Sequence, residues 1–320
     1  MDVPMKSSLS AALTRRQLLS CAARATGLGA AASLLPLAEG RGEGAETPPR
    51  FKYAICNETF DAWPFEKAFA FAAECGYQGI EIAPFTIAQY ATDISAARRA
   101  EVRRQAERAK LEIIGLHWLL AKTKGFHLTS PDAEVRRRTA AYFGELARLC
   151  ADLGGKIMVL GSPQQRNLAP GVTKEQGMKY AAGVLRAVAP ALEKTGVVVA
   201  IEPLGLVETN FLTSAADAVE LIELVDLPRC RLHLDCKAMA AESTPIAELI
   251  RKNRQWMVHF HANDPNRQGP GFGELDFVPI LKALRQIDYR GWVSVEVFDD
   301  TPGIERLARE SIAYLRRCER

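Results

Sequence analysis

The chain has 320 residues, 48% of them hydrophobic and 25% charged, which is enough to bury a full core as one large α/β barrel or two ordinary domains. Forty-one Lys and Arg nearly balance 38 Asp and Glu, leaving a net charge of +3 and no long basic block. That balance excludes nucleic acid and other polyanions as expected partners.

The chain opens on a segment unlike the rest. "TRRQLLSCAARATGLGAAASLLPLAEG" sets Arg15 and Arg16 before a mildly apolar Ala/Gly/Leu stretch and then small residues, and so resembles a twin-arginine export signal. Arg24, Gly27, Gly29 and Pro36 interrupt the stretch, so no permanent membrane span is expected. Residues 1–45 are read as an export signal and disordered linker, with a periplasmic or exported location expected. Such a location permits disulfides. None of the seven cysteines forms a Cys-x-x-Cys pair, however, and Cys56, Cys230 and Cys236 fall in or beside predicted strands, where a thiol packs as a small hydrophobe.

From residue 51 onward a short β-branched run, a polar loop and a longer stretch of helical periodicity recur. In chain order the runs are "YAIC" (53–56), "GIEIA" (79–83), "LEIIGLHW" (111–118), "KIMVLG" (156–161), "VVVAIE" (197–202), "CRLHLD" (230–235), "MVHFH" (257–261) and "WVSVEVF" (292–298). Helices are predicted over 65–76, 95–110, 132–154 and 174–196, several closing on Gly, and four more follow among the later strands. Strict alternation implies parallel strands, because each crossover must carry a helix back across the sheet. Eight units over 51–320 fit a single-domain (β/α)8 TIM barrel. An open doubly wound sheet would want a glycine-rich phosphate turn after its first strand, and "YAICNETFDAWPF" has none.

In such a barrel, polar residues that end apolar strands collect at one mouth. The last four strands deliver Glu202, Asp235, His261 and Glu296, three carboxylates and an imidazole, which is a composition suited to an octahedral divalent ion with positions left for substrate oxygens. Mn²⁺ is expected, with Mg²⁺, Co²⁺ or Zn²⁺ as alternatives. Side chains alternate along a strand, so His233 and His259 point the same way as Asp235 and His261, one step deeper, where they can orient a ligand through a ring N–H. His117 ends the third strand in the same manner and is a candidate substrate contact.

The succession "IEPLGLVETNF", "LHLDCKAM", "HFHANDPNRQGPGFGELDF" and "VSVEVF" resembles the xylose isomerase-like TIM-barrel superfamily, the sugar phosphate isomerase/epimerase group, and within it the ketose 3-epimerases. The resemblance implies that Glu202, Asp235, His261 and Glu296 hold the metal, with Glu202 and Glu296 facing each other across the substrate as proton acceptor and donor. It also places Glu208 and Arg267 on sugar hydroxyls and admits a homo-oligomer. This sequence departs from the epimerases where they carry a histidine three residues beyond the aspartate: that position is Ala238, with Lys237 beside it as a candidate substrate contact.

The expected chemistry is that of a divalent-metal-dependent sugar isomerase or epimerase, abstracting a proton next to a metal-bound carbonyl through an enediolate. A lyase or hydratase acting on 3-keto-glycosides by the same proton abstraction is the alternative, favoured by the export signal, Lys237 and Ala238.

Overall fold

The computed structural model describes residues 51–320, so the expected export signal and linker over 1–45 lie outside the described residues. Eight parallel strands pair in sequence order and the last pairs with the first, closing a barrel. The order is β1 (Lys52–Cys56), α1 (Phe65–Cys75), β2 (Gly79–Ile82), α2 (Ala96–Arg108), β3 (Glu112–Leu116), α3 (Ala133–Leu153), β4 (Ile157–Leu160), α4 (Lys174–Thr195), β5 (Val198–Ile201) and α5 (Ala215–Val225). It continues through β6 (Cys230–Asp235), α6 (Cys236–Met239), α7 (Ile246–Lys252), β7 (Met257–Ala262), α8 (Phe277–Gln286), β8 (Trp292–Val295) and α9 (Ile304–Glu319). The chain is a (β/α)8 TIM barrel, as its alternation of runs requires.

The strands read as near-continuous apolar runs because helices cover their outer faces while the lumen is packed. On α3, Phe143, Leu146, Ala147, Cys150 and Leu153 recur at three- and four-residue spacing, and all are buried. Each large aliphatic or aromatic side chain so buried contributes about 1.5–3 kcal/mol. Helix starts are capped where the sequence supplies an oxygen. Asp132 accepts from the Glu134 N–H at the head of α3, and Thr173 and Gln176 form a reciprocal capping box on α4.

Several boundaries differ from the sequence reading. β5, β8 and β3 stop one residue before Glu202, Glu296 and His117, yet each of these residues still donates its N–H to the neighbouring strand, to the carbonyls of Leu160, Ala262 and Ile82. The backbone therefore holds all three side chains as firmly as strand residues while releasing them into the mouth. The one-turn helix α6 was not anticipated; the Asp235 carboxylate creates it by capping the Ala238 N–H at 2.8 Å.

All six described cysteines are buried and unpaired. Among the described residues no helix is long and apolar enough to cross a membrane.

Candidate active site

Register builds the site first. β6 and β7 pair so that His233 lies opposite His259 and Asp235 opposite His261, after a shift between Leu232 and His233. All four side chains are buried, as are Glu202 and Glu296 on the adjoining strand ends. Ligand atoms of Glu202, His233, Asp235 and His261 lie within 4.8 Å of one another. Glu296 joins from the side, with Oε2 3.1 Å from His261 Nδ1. The structure thus brings the four expected residues together and adds His233, whose Nε2 stands 4.0 Å from Glu202 Oε1.

The donor set fits a divalent cation. Neither ring nitrogen of His233 has a hydrogen-bond partner among the described residues, and burial together with the charges of His261 and His259 holds its pKa well below the usual imidazole range, keeping a lone pair free. Burial and the neighbouring carboxylates hold Glu202 well above the usual carboxylate range, and burial with Glu296 raises Asp235 to about 6. Glu296 goes the other way. Burial pushes it up, but the His261 charge and hydrogen bond outweigh burial and leave it low. Crowded acids of this kind call for positive charge between them.

A ring of supporting side chains escaped the sequence reading. Glu81, on β2, is fully buried, and its Oε2 lies 2.9 Å from His259 Nε2 and 3.1 Å from His261 Nε2. One carboxylate oxygen therefore fixes both rings and turns His261 Nδ1 toward the acids. This puts His259 where the alternation argument placed it, beneath the site, with its ring bonded to Glu81. Asn263 donates to Asp235 Oδ2 at 2.5 Å and to Glu296 Oε2 at 3.2 Å. Arg166, also buried, donates to the Glu202 carbonyl at 2.5 Å and anchors that strand end. Gly161 ends the fourth run where a Cβ would sit 1.6 Å from Glu202 Oε2, so no other residue leaves the carboxylate its place.

The expected substrate contacts line the cavity above, which measures about 380 Å³ and is bounded by His117, Glu208, Lys237 and Arg267 together with Glu202 and Glu296. Lys237 Nζ pairs with Glu208 Oε2 at 2.6 Å, so Lys237 grips the glutamate expected on a sugar hydroxyl. His117 Nε2 lies 2.5 Å from Glu58 Oε2, a partner supplied by the 3-10 turn over Asn57–Phe60. Trp118 donates its indole N–H to Glu296 Oε1 at 3.1 Å from a backbone with φ of 52°. That left-handed conformation costs a non-glycine residue about 1–2 kcal/mol and persists only where its surroundings impose it.

A family model described as xylose isomerase-like TIM barrel matches residues 69–318. Among curated relatives, a probable ketose 3-epimerase of Synechocystis sp. is 26% identical over 270 residues, 78% of this chain and 90% of the relative. A 3-dehydro-D-guloside 4-epimerase of Escherichia coli is 31% identical over 140 residues, 44% of this chain and 53% of the relative. The crystal structure of a 3-keto-D-glucoside 4-epimerase from E. coli superposes with a TM-score of 0.73 at 23% identity, covering 84% of this chain and all (100%) of that one.

Proposed function

The chain belongs to the xylose isomerase-like TIM barrel family, and on that premise we propose that it is a divalent-metal-dependent epimerase of a sugar or sugar derivative. The relatives named above are sugar epimerases, which supports the reaction class. The observation that carries the reading is the pair Glu202 and Glu296, two buried glutamates that end separate strands and line the wall of one cavity. An epimerase needs one carboxylate to take a proton from carbon and another, already protonated, to return it to the opposite face.

Glu202, Asp235, His261 and Glu296, with His233 at hand, would hold the metal, for which Mn²⁺ is the proposed ion. The cation supplies the positive charge that acidifies the C–H beside the substrate carbonyl and stabilises the enediolate charge. The protein does the rest. Glu202 and Glu296 exchange the proton, Arg267 and the Lys237–Glu208 pair orient hydroxyls, and Trp118 and Phe298 exclude water from the wall they line. Metal-loaded protein incubated with 3-keto-glycosides and free ketoses in D₂O is expected to place deuterium at the carbon beside the carbonyl. No exchange with any of them rejects the reading.

Glu81 gives a second expectation. Glu81→Gln removes the carboxylate that fixes His261 and should weaken metal binding about 10- to 100-fold, read by titrating metal into apoprotein. Unchanged affinity would show that Glu81 merely fills space.

The Glu58–His117 pair favours one further reading, lyase action on a 3-keto-glycoside. Proton removal beside the carbonyl forms the enediolate; its collapse expels the substituent at the next carbon, and an imidazolium at His117 protonates the departing oxygen. Aglycone release measured beside deuterium uptake separates lyase from epimerase. The paired Arg15 and Arg16 and the apolar stretch behind them support export to the periplasm; N-terminal sequencing of the protein from a periplasmic fraction should find this segment removed, and recovery of intact chain in the cytoplasm alone would rule export out.

A further inference from the structure

The cavity over the acids is one of two lobes. A second cavity of about 550 Å³ adjoins it and shares Trp118, Arg267 and Phe298 with it as a common wall. Its far side is formed by Phe85, Asp61, Lys122 and Asp300, with Glu58 on its floor. Phe85 meets Trp118 edge-on at 6.3 Å between ring centroids, Trp118 leans on Phe298 at 6.1 Å, and Lys122 Nζ lies 3.9 Å above the Phe85 ring and 3.8 Å from Asp61. Aromatic walls beside exposed carboxylate and ammonium groups are what a hydroxylated ring needs: flat apolar C–H faces for the aromatics and hydroxyls for the charges.

The shared wall matters more than the volume. Trp118 is the residue held at φ of 52°, and its indole N–H is the one bonded to Glu296 Oε1. A group seated in the second lobe would pack against the same indole that orients a glutamate of the first, so binding energy gained there is felt where the proton moves.

We propose that the second lobe, walled by Phe85, Trp118 and Phe298, binds a glycosyl residue attached to the reacting sugar, so that the substrate is an oxidised disaccharide or longer glycoside spanning both lobes. This rests on the epimerase reading for the first lobe and adds the substrate class. The test uses binding as well as turnover, so that the two stand or fall separately. Calorimetric titration of metal-loaded protein with methyl glucoside and with a panel of unoxidised glucosyl disaccharides should show at least one disaccharide binding tenfold or more tightly. In Phe85→Ala/Lys122→Ala that preference should collapse to about twofold. Asp61→Asn, an exposed and conservative change, should weaken the disaccharide alone. Equal affinity for mono- and disaccharides in the parent overturns the proposal, as does a preference that survives the double variant. A disaccharide preference without exchange on any oxidised sugar would keep the second lobe and reject the epimerase.

Discussion

Glu202→Gln and Glu296→Gln are each expected to lower epimerisation by about 10²- to 10⁴-fold, the range removed with a positioned acid or base. The two variants should fail differently. If one glutamate serves each face of the substrate, deleting one leaves the other able to take and return a proton on its own side. Each variant should therefore still exchange one epimer's C–H with D₂O while inverting neither, and the exchanging epimer should switch between variants. Mass spectrometry of recovered substrate reads the exchange, and chromatography reads the inversion. Residual exchange of both epimers in both variants would show that the glutamates do not divide the faces between them. Because both are also candidate ligands, metal content has to be measured alongside, and the comparison made at saturating metal.

Gly161→Ala carries the next largest effect. The added methyl would lie 1.6 Å from Glu202 Oε2 and 2.7 Å from its Cδ, distances that cannot coexist with the carboxylate where it stands. The backbone cannot yield easily, since the Glu202 N–H is bound to the Leu160 carbonyl and its own carbonyl is held by Arg166. The carboxylate must rotate instead. Displacing a reacting group by about 1 Å costs on the order of 10²-fold in rate, so turnover should fall by about that factor while circular dichroism and the unfolding midpoint change little. Turnover within twofold of the parent would mean that Glu202 is not used where the structure places it.

These side chains show what sequence could and could not reveal. The barrel was legible because its strands are buried on both faces and spell apolar runs, and Glu202, Asp235, His261 and Glu296 were legible because each interrupts such a run at its end. Glu81 was not. Inside "GIEIA" it reads as the polar residue of an alternating strand, and only its register opposite Cys56, facing the lumen, distinguishes it from a solvated acid. Parity was the available signal: in a closed barrel an acid flanked by Ile80 and Ile82 faces inward when they face the helices. Glu58 sits on a short 3-10 turn and Asn263 and Arg166 in loops, segments whose composition carries no period, and their partners lie 28 to 59 residues away in sequence for the bonds to Asp235, Glu202 and His117. The closeness of His233 to Glu202 escaped for a different reason. Alternation gave its direction correctly, but how far an imidazole one step down can reach toward Glu202 depends on the barrel's radius, which no local pattern encodes.

The thiols give the fold a consequence for its redox chemistry. Burial pushes Cys56 and Cys75 up to about 11, and Cys230 up to about 12, so almost none of these sulfurs carries the negative charge that oxidants and disulfide exchange require. No crosslink among the described cysteines braces the barrel either. Among the described residues reductant therefore has no disulfide to cut, and the buried thiols offer oxidants little to attack.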